Sequence, residues 1–125
     1  MNNNITEDYC SFEVSKLLKE KGFDIYSESY YLDNTKELRE YVGCYNTLDQ
    51  EKDNPHSIRP THSLAIKWIR ENFGYYIGVL ISTNTKYSYS IQMTDGEYVQ
   101  ITSNNYDSPE EATEAALKYV LEKLV

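Results

Sequence analysis

The chain has 125 residues and a net charge of −8, with acidic residues in excess in both halves. A length of this kind suits one domain over residues 1–125, large enough to bury a core without metal or disulfide staples. No apolar run approaches the roughly 18–20 residues that span a bilayer, and no basic patch of the sort that neutralises phosphates is visible, so neither a membrane nor nucleic acid is an expected partner.

The start, MNNNITEDYC, has neither a basic stretch nor an apolar core of the kind a secretion signal carries. The expectation is a cytoplasmic chain in which Cys10 and Cys44 are free thiols. Residues 11–24, SFEVSKLLKEKGFD, predict a helix. Ser11 is a good N-cap, Glu13 meets the positive helix start, and Val14, Leu17 and Leu18 form an apolar stripe. Gly22 suits the left-handed position that ends a helix, after which Phe23 can fold back on Leu18. Next, residues 24–43 predict two strands joined at Asp33-Asn34-Thr35. Tyr26, Tyr30 and Leu32 share one face of the first. The second, KELREYV, is charged enough to be an edge strand. Residues 43–60, GCYNTLDQEKDNPHSIRP, show no hydrophobic period and hold two prolines, which predicts a surface loop.

A second helix follows in THSLAIKWIREN, capped by Thr61, with Leu64, Ala65, Trp68 and Ile69 as its buried stripe and Gly74 at its end. YYIGVLIS, KYSYSIQMT and EYVQITS then predict a three-stranded meander, with Asp95-Gly96 read as a two-residue hairpin turn. In the last helix, SPEEATEAALKYVLEKLV, Ser108 and Glu111 suggest a capping box and Pro109 occupies the first helical position. Its expected buried face is Ala112, Ala115, Ala116, Tyr119, Val120 and Leu124. The predicted order is α-β-β-α-β-β-β-α, an α+β domain with a two-layer design: an antiparallel sheet with helices on one face.

Thirteen residues are tyrosine, and parity along the strands sorts some of them. Tyr87 and Tyr89 share a face with Ile91 and Met93 and belong with the core, leaving Ser88, Ser90 and Gln92 to solvent. Tyr76, Leu80 and Tyr98 fall on the opposite parity from the apolar positions of their strands and are the candidate interface residues, with Tyr30 or Tyr31 and Tyr41 as possible extensions.

Chemical motifs are sparse. CxxC, HxxxH and HExxH patterns, a Walker loop, GxGxxG and a GxSxG elbow are all missing from the sequence, so no catalytic residues, no dedicated metal site and no cofactor are assigned. The one local concentration of positive charge is HSIRPTHS. Here Arg59, His56 and His62 flank the helix cap Thr61, and helix starts attract anions, so these four residues are a candidate anion site.

The stretches SFEVSKLLKEKGFD, PTHSLAIKWIREN and YDSPEEATEAALKYVLEKLV together resemble a group of small proteins from gut Bacteroidales and their phages or mobile elements. That resemblance implies a bacterial or phage protein of the cytosol and brings no activity with it. The C-terminal half, in its helix, three strands, helix order, also resembles a double-stranded-RNA-binding domain. Ser108, Ala112, Ala115 and Ala116 fall where that family places a serine and packing alanines. Pro109 and Glu110 stand where the family's phosphate-gripping lysines would be, so the likeness implies packing and not RNA binding. The functional expectation is a non-catalytic protein-interaction module that self-associates or binds a protein partner. The alternative is a small-ligand or anion binder, or a cryptic enzyme, at the 56–63 loop–helix junction.

Overall fold

The first helix, α1 (Phe12–Glu20), begins where Ser11 accepts the Val14 N–H at 3.2 Å and stops at Gly22, whose φ of 99° is the left-handed value a side chain would resist. The Phe23 N–H then bonds the Leu18 carbonyl at 3.0 Å, which turns the Phe23 ring under the helix and edge-on to Trp68, 5.3 Å between centroids. These features belong to a computed structural model that describes residues 5–40, 55–83, 85–101 and 105–125.

Strands β1 (Ser29–Leu32), β2 (Leu38–Glu40) and β3 (His56–Arg59) form an antiparallel sheet in the order β2-β1-β3. Tyr26 precedes the first strand and is exposed, contrary to its expected place on the strand face. β2 is an edge strand, as its charges suggested, and β3 lies at the other edge of the described sheet. The 43–60 loop needs correction at its end, because His56–Arg59 is a strand and not loop. Four residues are too few to show a period. The bracketing prolines were the available signal: Pro60 holds Arg59 extended, and both Pro55 and Pro60 sit just outside the ladder, where a missing N–H costs nothing. The remainder of that loop, with Cys44, and the far end of the return strand, with Tyr41, lie outside the described residues.

Helix α2 (His62–Phe73) is capped by the Thr61 hydroxyl and ends at Gly74 in the left-handed conformation. It leads into β4 (Tyr75–Thr83), β5 (Lys86–Met93) and β6 (Tyr98–Ile101), a second antiparallel sheet in the order β4-β5-β6. The hairpin at Asp95-Gly96 has a three-residue loop, not the expected two. Met93 accepts the Gly96 N–H and donates to the Glu97 carbonyl, both at 2.8 Å, and Gly96 supplies the positive φ that this wider turn needs.

Helix α3 (Pro109–Tyr119) runs on into a π-helical turn, Val120–Leu124. Ser108 accepts the Glu111 N–H at 3.1 Å, and the Glu111 carboxylate reaches back one residue further than a capping box requires, to the Asp107 N–H. The buried face differs from the expected one: Leu117 and Leu121 are fully buried, while Ala115, Tyr119 and Leu124 are only partly so. The helix touches the β4-β5-β6 sheet on one side and α1 and α2 on others, which widens and rotates the arc it must cover.

The class is therefore α+β with antiparallel sheets, as the sequence indicated, with one strand more among the described residues and the strands divided between two sheets. Val14, Leu18, Ile69, Ile91, Leu117 and Leu121 centre the core where the three helices meet the larger sheet. Tyr89 lies in it, its ring 6.2 Å from Tyr106 and 6.5 Å from Tyr119, but Tyr87 on the same face is only partly buried and Met93 is exposed, because the core covers only the middle of β5.

Candidate functional site

Two places carry more than packing. The first is the outer edge of β4. The Gly74 carbonyl accepts the Thr94 N–H, while Tyr87 and Met93 turn their N–H groups to Tyr106 and Glu97 on the other side of β5. Antiparallel ladders alternate, so Tyr76, Gly78 and Leu80 direct their backbone groups to β5, and Ile77, Val79 and Ile81 direct theirs outward. Among the described residues nothing pairs with that outward row. The strand, YYIGVLIST, contains no charge and no proline.

Its side chains are open as well. The helices cover only the first half of β4: Ile77 is buried, but Val79 and Ile81 on the same face are 37% and 77% exposed. On the reverse face, Tyr76, Leu80 and Tyr98 are 50%, 44% and 62% exposed. Tyr76 and Tyr98 flank Gln92 in one cross-strand row. Ser88 and Ser90, expected to see solvent on this face, are buried instead. They sit on the central strand, where the flanking strands overhang a small side chain: Ser88 lies opposite Leu80, and a Cβ on Gly78 would come within 3.2 Å of the Ser90 hydroxyl.

The second place is where residues 8–11 cross the start of α2. The His62 N–H bonds the Asp8 carbonyl at 2.8 Å, the Cys10 N–H bonds the Pro60 carbonyl at 2.9 Å, and Tyr9 bridges Thr61. Tyr31 donates its hydroxyl to the Cys10 carbonyl at 2.9 Å. From α3, the Glu114 carboxylate enters this junction and gathers the Ser11 N–H at 2.8 Å, the Ser11 hydroxyl at 2.8 Å and His62 Nε2 at 2.9 Å. Burial pushes the Glu114 pKa up, but these hydrogen bonds from His62 and Ser11 outweigh it and hold the carboxyl below the usual range. The Cys10 thiol is pushed up, by burial first and by the Glu114 charge second.

The four residues nominated for an anion site do not converge. His56 and Arg59 lie at opposite parity on β3. The His56 ring meets Tyr30 edge-on, whereas Arg59 bonds the Ser29 hydroxyl at 2.7 Å and stacks 4.0 Å over the Tyr9 ring. Thr61 spends its hydroxyl on the Leu64 N–H, and His62 turns to Glu114. The carboxylate beside His62 is thus the chain's own. Sequence reasoning missed Glu114 and Cys10 as neighbours of His62, and no local signal would have found them, since the His62–Glu114 pair is 52 residues apart.

No family model matches this sequence, and neither a curated protein nor a solved structure matches it. Among the described residues no helix is long and apolar enough to cross a membrane.

Proposed function

We propose that this chain is a non-catalytic, cytoplasmic interaction module that self-associates by pairing the β4 edge with the same edge of a second copy. The observation that carries the reading is the outward row of Ile77, Val79 and Ile81 on an uncharged strand whose side chains are exposed on both faces. A bare edge of this kind is a template for another strand. The absence of charge on β4 matters for the choice of occupant. Two chains of net charge −8 repel at most surfaces, and an uncharged strand is where they can meet.

Antiparallel pairing also suits this strand. A two-fold axis at Val79 sets Ile77 opposite Ile81, and Gly78 opposite Leu80, so Leu80 on the open face meets a residue with no side chain. Pairing would join two three-stranded sheets into one of six and bring Tyr76 and Leu80 of both copies onto a continuous surface. Light scattering across a range of concentration and salt tests it. The expected result is a dimer that strengthens with added salt, as screening relieves the repulsion. A chain that scatters as a monomer at millimolar concentration in high salt would overturn the reading.

A further inference from the structure

The junction under α2 brings together a thiol, an imidazole and a carboxylate. The ligating atoms of Cys10, His62 and Glu114 all lie within 4.8 Å of one another. Each comes from a different part of the chain, namely the N-terminal segment, the first turn of α2 and the middle of α3. We propose that these three side chains form a binding site for a zinc-class divalent cation, independent of the pairing edge on β4.

Sulfur, nitrogen and oxygen donors in this combination suit a borderline-soft ion that takes four ligands in a tetrahedron. Around such an ion the ligand atoms sit about 3.3–3.6 Å apart, as bond lengths of about 2.0–2.3 Å dictate. Small shifts reach that value from the present spacings: His62 Nε2 is 2.9 Å from Glu114 Oε1, and all three ligand atoms lie within 4.8 Å of one another. An ion between them replaces the proton that His62 and Glu114 share and draws Cys10 Sγ inward. The balance is one proton released to water from the Cys10 thiol and one moved on His62 from Nε2 to Nδ1.

Two further features fit. Glu114 is already oriented by Ser11, whose N–H and hydroxyl hold its two oxygens, an arrangement that fixes a carboxylate ligand. The trio also opens on a cavity of about 490 Å³, whose wall includes Asp8, Glu110 and Glu111 and the rings of Tyr31 and Tyr106. The acidic residues of the wall offset the Arg59 charge that also reaches Cys10, and the open side leaves the fourth coordination position to water or a small ligand.

The test uses the full chain, reduced and stripped of metal by a chelator, with Co(II) and then Zn(II) as probes. The expected result is a thiolate-to-Co(II) charge-transfer band that one equivalent of Zn(II) removes, together with a rise in melting temperature on adding Zn(II). Cys10→Ser should abolish the band, and Cys44→Ser should retain it. Glu114→Gln and Ser11→Ala should each weaken cobalt binding at least about tenfold. No band in the native chain, or a band that survives Cys10→Ser, overturns the site. Should circular dichroism show Cys10→Ser unfolded, Glu114→Gln decides, and unchanged cobalt affinity in that variant overturns it.

Discussion

The two sheets end in edges of opposite character. β2 lies at one edge of the smaller sheet, and its described residues, Leu38-Arg39-Glu40, are all exposed and two of them charged. β4 closes the larger sheet with nine residues and no charge. Charged, short edges resist pairing with other chains, and long apolar ones invite it. The sheets also differ in what ties them down. The smaller is laced by polar contacts: Asp33 accepts from Lys19 Nζ at 2.9 Å and from the Ser57 hydroxyl at 2.7 Å, joining the β1–β2 turn to α1 and β3. The larger is held by apolar packing, with Ile91 of β5 and Leu117 and Leu121 of the C-terminal helical segment fully buried. Among the described residues one edge carries charge and the other is uncovered, and this contrast supports pairing at β4.

The contrast can be broken most severely at the apolar side. Leu117→Ala should cost about 2–5 kcal/mol of folding stability, since it opens a cavity where α3 meets the core, and urea unfolding would read it. The polar side should yield less. Asp33→Asn should cost about 1–2 kcal/mol near neutral pH by weakening charge-assisted hydrogen bonds. Burial pushes Asp33 up, but the bonds from Lys19 and Ser57 and the lysine charges hold it below the usual carboxylate range. Because the folded value lies below the unfolded one, the stabilisation is present in full above the ordinary carboxylate pKa. It is lost as pH falls through the lower folded value. The gap between native and variant urea midpoints should therefore close in acid, and a gap that stays constant would contradict the assignment.

Much of this organisation was legible in the sequence where the signals are local. Ser11, Thr61 and Ser108 cap their helices, and Gly22 and Gly74 end two of them, because caps and left-handed positions are chosen by residues a few places apart. Parity along β4 and β6 placed Tyr76, Leu80 and Tyr98 on the exposed face. What local signals could not carry is what meets what. The burial of Ser88 and Ser90 depends on larger residues on neighbouring strands. The arc of α3 that includes Leu117 and Leu121 depends on contacts with α1, α2 and the sheet together. The meeting of Cys10, His62 and Glu114 depends on three chain segments whose order in space no spacing encodes.

The smallest stability effects should come from the edges themselves. Ile81→Lys and Arg39→Val are both surface changes and should each shift stability by no more than about 0.5 kcal/mol. Their effects on association should differ completely. Ile81→Lys puts a charge on the bare edge and should abolish self-association by light scattering. Arg39→Val removes a charge from β2 but leaves β4 untouched, and should leave association unchanged.

Amide hydrogen exchange along β4, measured at high and low protein concentration, tests the pairing most directly. At high concentration Ile77, Val79 and Ile81 should exchange slowly, as slowly as Gly78 and Leu80, because their N–H groups are bonded across the dimer. On dilution the three odd-numbered amides should become fast while Gly78 and Leu80, bonded to β5, stay slow. If Ile77, Val79 and Ile81 exchange rapidly at every concentration while their even-numbered neighbours remain protected, the β4 edge does not pair and the account is wrong.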